Sequence, residues 1–310
     1  MQTAAELNAQ FAIPSVLRFD EDRNGLPRAQ VSVPTADATI YLQGAHLTFW
    51  QPVGDEPVLF SGGDAKWRNE HSSHVGVPVI FPWFGAKTLG PNEAGNASAP
   101  MHGFARQQPW TLALAAQTGD SVNLVFTLAA NELSRSFGYG AFRLAMSFTI
   151  GPSLTMELTV ANDDDKPLVF EEALHTYLAV KDVREVSIEG LANTEYLDKV
   201  ENFARKRQEQ KFLCFKSRTD RVFVNTETRS VLHDPIGKRL ITVDKTGSRT
   251  TVVWNPWEEL ATQYNDIGKE GWPRFACIET VNAGENAVTL APGETHTMRA
   301  AVRVEKMGYR

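Results

Sequence analysis

The chain is poor in the features that mark redox, nucleic-acid and membrane proteins, and each shortage closes a class. Among 310 residues there are two cysteines, Cys214 and Cys277, in neither a C-x-x-C motif nor a ligand cluster. No disulfide framework is expected, and a reducing compartment fits. There is no block of Lys and Arg: the net charge is −6, and the nearest run, RKRQEQK from Arg205 to Lys211, is short and diluted by Gln and Glu. It reads as a solvated turn, and nucleic acid is not expected as a partner, because binding it needs a basic footprint that displaces counterions. No stretch approaches the ~20 apolar residues of a membrane helix; VGVPVIFPWFG, the longest candidate, holds two prolines and stops early. The opening MQTAAELNAQFAIPSV lacks a basic segment ahead of a long apolar core, so no secretory signal and no membrane partner are expected and a cytoplasmic location follows. Missing too are a G-x-S-x-G elbow, a Walker A loop, an H-E-x-x-H motif and a dinucleotide fingerprint in its strand-helix setting.

What is present is ordinary globular composition, 42% hydrophobic and 22% charged, with strong period-2 patterning. FRLAMSFTI (Phe142 to Ile150) and LTMELTV (Leu154 to Val160) alternate cleanly on either side of Gly151-Pro152-Ser153 and predict a hairpin. AVTL, APGE and THTMRAAVRV near the C-terminus predict a second. Further short strands are expected at RAQVSV, ATIYLQ, HLTFW, PVLF, WTLALA, VNLVFTL, VSIEG, RSVLH, RLITV, TTVVW and FACIE, with helix confined to residues 3–10 and 201–211. No repeat, low-complexity tract or linker divides the chain, so residues 1–310 are expected to form a single all-β domain, a large twisted antiparallel β-sandwich. KTLGPNEAGNASAP (Lys87 to Pro100) reads as a long loop at a pocket mouth.

Chemistry concentrates in a few places. In FEEALHTYLA (Phe170 to Ala179) an extended chain puts Glu171, Ala173, His175 and Tyr177 on one face and Glu172, Leu174, Thr176 and Leu178 on the other. Alone, a strand histidine reads as a core side chain satisfied by one carbonyl; Glu171 and Tyr177 beside it turn the reading toward a site lining, since buried carboxylates are costly without partners. In RFACIETVNAG, Glu279 shares a face with Phe275, Cys277 and Val281, where desolvation would raise its pKa toward that of a working base; equally it could be a solvated strand-end carboxylate. His102 and Arg106 in MHGFARQQPW offer an imidazole able to donate to a sugar oxygen and a planar fork suited to phosphate or carboxylate; either could equally be an ordinary surface residue. Asp220 in SRTDRVFVN, alone, reads as a turn residue. His71 and His74 could imitate a metal pair but lack a third ligand.

Taken together, VPVIFPWFG, MHGFARQQPW, EEALHTYLAV, TDRVF, VVWNPW and FACIETVNAG, spread between about Val77 and Gly284, resemble the aldose 1-epimerase superfamily, in particular its glucose-6-phosphate 1-epimerase branch. The resemblance implies a galactose mutarotase-like sandwich, His175 as general acid, Glu279 as general base, and Asp220, His102 and Arg106 as substrate-binding residues. It implies an isomerase that opens and recloses a sugar ring by proton transfers, with no cofactor and no metal, on a small sugar or sugar phosphate. Where that branch carries Arg-Gly-Gly before the apolar-proline stretch, this chain has His74-Val75-Gly76. His74, Lys66, Arg68 or Lys87 would then have to replace an arginine, or the substrate would be a different or unphosphorylated sugar. A non-catalytic carbohydrate-binding protein on the same fold is the third reading. Oligomeric state is open.

Overall fold

A computed structural model describes residues 1–62, 74–87 and 99–308. Lys66, Arg68 and His71, and most of the loop expected from Lys87 to Pro100, lie outside the described residues.

Two large antiparallel sheets dominate. One has nine strands, in the order Phe212–Cys214, Ser187–Glu189, Ser230–Asp234, Arg239–Thr246, Thr295–Lys306, Leu154–Asn162, Phe142–Ile150, Ser121–Ala129 and Thr111–Thr118. Its central strands bury alternate residues, as the sequence pattern predicts: Phe142, Leu144, Met146, Phe148 and Ile150 face the core. The second sheet has eight strands, running Ala204–Arg207, Glu195–Asp198, Thr219–Phe223, Thr250–Asn255, Phe275–Asn282, Glu172–Leu174 and Val79–Ile80, with Tyr177–Ala179 also on Phe275–Asn282. The strands Leu17–Glu21, Pro27–Val33, Ala36–Tyr41 and His46–Pro52 make a third sheet of four, and Leu168–Phe170 pairs with Val288–Leu290. This is the expected β-sandwich. The predicted strand PVLF supplies only a bridge between Leu59 and Leu178.

Two expectations are corrected. The first hairpin forms, with Ile150 opposite Leu154, but the second does not. Val288–Leu290 pairs with Leu168–Phe170, while Thr295–Lys306 lies between Leu154–Asn162 and Arg239–Thr246. The four residues between the two segments reverse the chain, yet the long strand buries Met298, Ala300 and Val302 in a sheet the short one never joins. Residues 201–211 are not helical either: a 3-10 turn at Lys199–Glu201 leads into the strand Ala204–Arg207, paired with Glu195–Asp198. Lys206 spans back to Asp198 at 3.1 Å and to Glu201, so its charge serves a hairpin. At the N-terminus the helix Ala4–Phe11 does form, with Thr3 and Glu6 closing a capping box.

The two central strands of the eight-stranded sheet are buried on both faces: every residue of Thr250–Asn255 and of Phe275–Asn282 is buried. One face packs on the nine-stranded sheet, where Glu172 bonds His296 Nε2 at 3.0 Å and Asn282 Nδ2 approaches Met298 Sδ at 3.9 Å. The other face lines a cavity of about 1470 Å³.

Candidate active site

Register builds the cavity floor. Leu197 lies opposite Val222, Val222 opposite Val252, and Val252 opposite Glu279. The next row joins Asp220, Trp254, Cys277 and Tyr177. Glu172–Leu174 and Tyr177–Ala179 keep one register against Phe275–Asn282, with Leu174 opposite Thr280 and Tyr177 opposite Cys277. His175 falls in the gap between them, opposite Glu279 by the same count. Its own amide donates to Pro78 O and that of Tyr177 to Gly76 O, so the VPVIFPWFG motif holds the other side of this strand. Gly76 is required there: its φ is +60°, and a Cβ would stand 2.2 Å from Leu47 O.

His175 Nε2 lies 3.4 Å from Glu279 Oε1, with the two residues 7% and 1% exposed. The ring of His175 stacks on Tyr177 at 4.7 Å and meets Trp254 edge-on. Burial pushes the Glu279 carboxyl well up, and the nearby Asp220 adds to it. Burial pushes His175 well down, with His102 and Arg106 adding to it. Among the described residues, Glu279 Oε2 and His175 Nδ1 have no hydrogen-bond partner. A buried carboxylate and imidazole with spare capacity, open to a cavity, are placed to exchange protons with something bound there.

The remaining expected residues surround this pair. His102 has a left-handed φ of +63°, an uncommon backbone for a residue with a side chain. Its Nδ1 accepts the Gly85 amide at 3.1 Å, which leaves the hydrogen of the neutral ring on Nε2 as a donor. Burial, with Arg106 next, holds its pKa well down, so it stays neutral. The following Gly103 passes so close to Phe81 that a Cβ would sit 2.1 Å from its carbonyl oxygen, which Phe104 and Ala105 amides share. Arg106, on the short turn Ala105–Gln107, donates from Nη2 to Met101 O and leaves Nε buried and unpartnered. Burial lowers its pKa to about 10. Asp220 sits on Thr219–Phe223 with Lys199 Nζ 3.3 Å away; burial raises its pKa against the pull of that lysine.

His74 also reaches the cavity, held rather than free. Its Nδ1 lies 3.0 Å from Asp266, its amide donates to the same carboxylate at 2.7 Å, and its ring packs on Tyr264 at 4.3 Å. Lys87 turns away, onto Phe137 O and over the rings of Trp83 and Phe137. Glu171 acquires a definite role: its two oxygens accept the amides of Phe84 and Gly284, both at 2.7 Å, tying two motif ends together at the cavity rim. Lys199, Arg218, Tyr264 and Asp266 line the cavity although no motif announced them; only their strand or loop neighbours in space reveal it. In VVWNPW the asparagine is structural: buried Asn255 donates to Trp272 O and Phe275 O and accepts the Trp257 amide. As a donor set for a metal, His175, Cys277 and Glu279 bring ligand-type atoms within 4.8 Å of one another; the reading without a metal uses two of them as acid and base.

The aldose 1-epimerase family profile matches residues 30–303. The chain belongs to the aldose 1-epimerase family. It is therefore an isomerase of the epimerase type, with a small sugar as ligand. A relative from Escherichia coli K12, provisionally named glucose-6-phosphate 1-epimerase, is 33% identical over 89% of this chain and 90% of its own. One from Cenchrus ciliaris with the same name is 29% identical over 88% and 82%. The crystal structure of a provisionally named mutarotase from Salmonella typhimurium superposes with a TM-score of 0.87 at 30% identity, covering 96% of both chains. A galactose 1-epimerase from Lactobacillus acidophilus shares the fold, TM-score 0.70, at 14% identity. Among the described residues no helix is long and apolar enough to cross a membrane.

Proposed function

We propose that this aldose 1-epimerase family member interconverts the α and β anomers of an aldohexose 6-phosphate, glucose 6-phosphate first, with His175 as general acid and Glu279 as general base. The observation that carries this reading is the buried pair 3.4 Å apart on the floor of a cavity that also holds Arg106, His102 and Asp220. The relatives' names favour the phosphorylated sugar, and so does a buried guanidinium nitrogen of Arg106 without a partner.

The two groups share one proton through the cycle. With the ring closed, protonated His175 gives its proton to the ring oxygen as carboxylate Glu279 takes the proton of the C1 hydroxyl, and the C1–O5 bond breaks to leave an aldehyde. Rotation about C1–C2 presents the other carbonyl face. The 5-hydroxyl then adds to C1, losing its proton to His175, while Glu279 returns a proton to the carbonyl oxygen. Burial favours the neutral forms of both groups, the protonation state that accompanies the open chain. His102 Nε2–H and Asp220 orient hydroxyl groups, and Arg106 takes the phosphate. Two unbridged cysteines, one exposed, fit a reducing compartment, and we place the enzyme in the cytoplasm on that ground.

Anomer exchange measured by NMR magnetisation transfer on glucose 6-phosphate, galactose 6-phosphate, glucose and galactose tests the reading. Acceleration above the spontaneous rate for the phosphosugars, lost in His175→Ala, is the expected result. Acceleration of free sugars only would replace the substrate, and none anywhere would leave a sugar-binding protein.

A further inference from the structure

The cations of the cavity divide by whether they already hold a carboxylate. His74 is on Asp266 at 3.0 Å and Lys199 on Asp220 at 3.3 Å. Two arginines differ. Arg106 and Arg218 line the same cavity, each with a buried Nε that has no hydrogen-bond partner, and among the described residues neither forms an ion pair. A guanidinium drawn out of water without a counter-charge is unfavourable unless an anion arrives with the ligand.

Arg218 immediately precedes the strand Thr219–Phe223, two residues before Asp220 and four before Val222, and all three line the cavity. Burial raises the pKa of both Asp220 and Tyr264, and the Arg218 charge opposes that rise in each; Tyr264 is the ring on which His74 packs. The guanidinium shares the cavity lining with His74, which stands where an arginine is expected and is itself tied to Asp266. A planar fork of donors can grip two phosphate oxygens at once, which neither a tied imidazole nor a carboxylate-paired lysine can do.

We propose that Arg218 is a phosphate-binding residue of this cavity, a second guanidinium acting with Arg106, and that it sets the preference for phosphorylated over free sugar. This rests on the reading of a sugar phosphate as substrate.

The test compares wild type, Arg218→Ala and Arg218→Lys in anomer exchange on glucose 6-phosphate and glucose, and titrates each protein with inorganic phosphate by ³¹P NMR. In Arg218→Ala the ratio of kcat/KM for the phosphosugar to that for glucose should fall about tenfold or more, through KM rather than kcat, the size of one lost charge-assisted contact. Phosphate affinity should fall in parallel, and Arg218→Lys should lie between. An unchanged ratio in a wild type that does isomerise phosphosugars overturns the role of Arg218 and leaves the function standing. If the wild type accelerates neither sugar, the function falls; loss of phosphate binding in Arg218→Ala would then still support the anion site, and retained binding would overturn it.

Discussion

In the nine-stranded sheet Phe142–Ile150 alternates between core and solvent, whereas Phe275–Asn282 in the eight-stranded sheet is buried at every residue. The outer sheet can place Arg143 on its open face and pair it with Asp163 at 2.6 Å, an exposed ion pair with little energetic weight. The inner sheet has a core on one side and a cavity on the other. A carboxylate there loses its hydration, and its proton affinity changes; Glu279 and Asp220 both move up for that reason. The same alternation of side chains therefore yields solvation in one sheet and reactivity in the other, and the difference is what covers the second face.

The largest effect that would break this comparison is catalytic. Glu279→Gln keeps the shape of the floor and removes the proposed base, so kcat for anomer exchange should fall about 10²–10⁴-fold with sugar affinity largely retained. The melting temperature should hold or rise, because a buried carboxyl with an unpartnered oxygen is a net cost to folding. Normal turnover by this variant would refute the base assignment. In the outer sheet the outcome reverses: Phe148→Ala, truncating a fully buried ring, should cost about 3–5 kcal/mol of stability by denaturant unfolding, with kcat of the folded fraction unaltered.

The pH profile sharpens the contrast. The working pair needs one proton, so its range is bounded below by the depressed His175 and above by the raised Glu279. Anomer exchange should stay level across neutral pH, decline in acid as the second proton is added and decline in alkali as the last one leaves. A profile that titrates once, near the ordinary histidine pKa, would mean the two groups do not act together.

The smallest effect concerns the face between the sheets. The Glu172 carboxylate beside His296 raises the imidazole's pKa, so this pairing stabilises the fold fully below the unfolded histidine value of ~6.5 and is lost as pH rises through the higher folded value. Thermal melts of wild type and His296→Gln should differ most in mild acid and converge in mild alkali. A gap independent of pH would show that His296 contributes packing alone.

Much of this was legible in the chain. The hairpin around Gly151, the capped helix at Ala4–Phe11 and the buried faces of the long strands follow from periodicity, because side-chain alternation is a local property. The second hairpin was not legible: Val288–Leu290 finds its partner in Leu168–Phe170, about 120 residues away. In the site, His175, Tyr177 and Glu279 announced themselves as titratable or aromatic groups in apolar strands, and His102 and Arg106 as parts of a Gly-containing turn. Lys199, Arg218 and Asp266 did not, since a charged residue in a polar segment looks the same whether it faces water or a cavity.

By itself, then, the order of residues determined where the long alternating strands form, which of their faces are apolar, and which groups are chemically capable. Only the tertiary structure decided that His175 stands opposite Glu279, that Asp266 occupies His74, and that, among the described residues, the buried Nε atoms of Arg106 and Arg218 have no hydrogen-bond partner. Alternation is set within a few residues of backbone, but register between strands, burial and charge pairing depend on groups brought together from distant parts of the chain, where solvent has been removed.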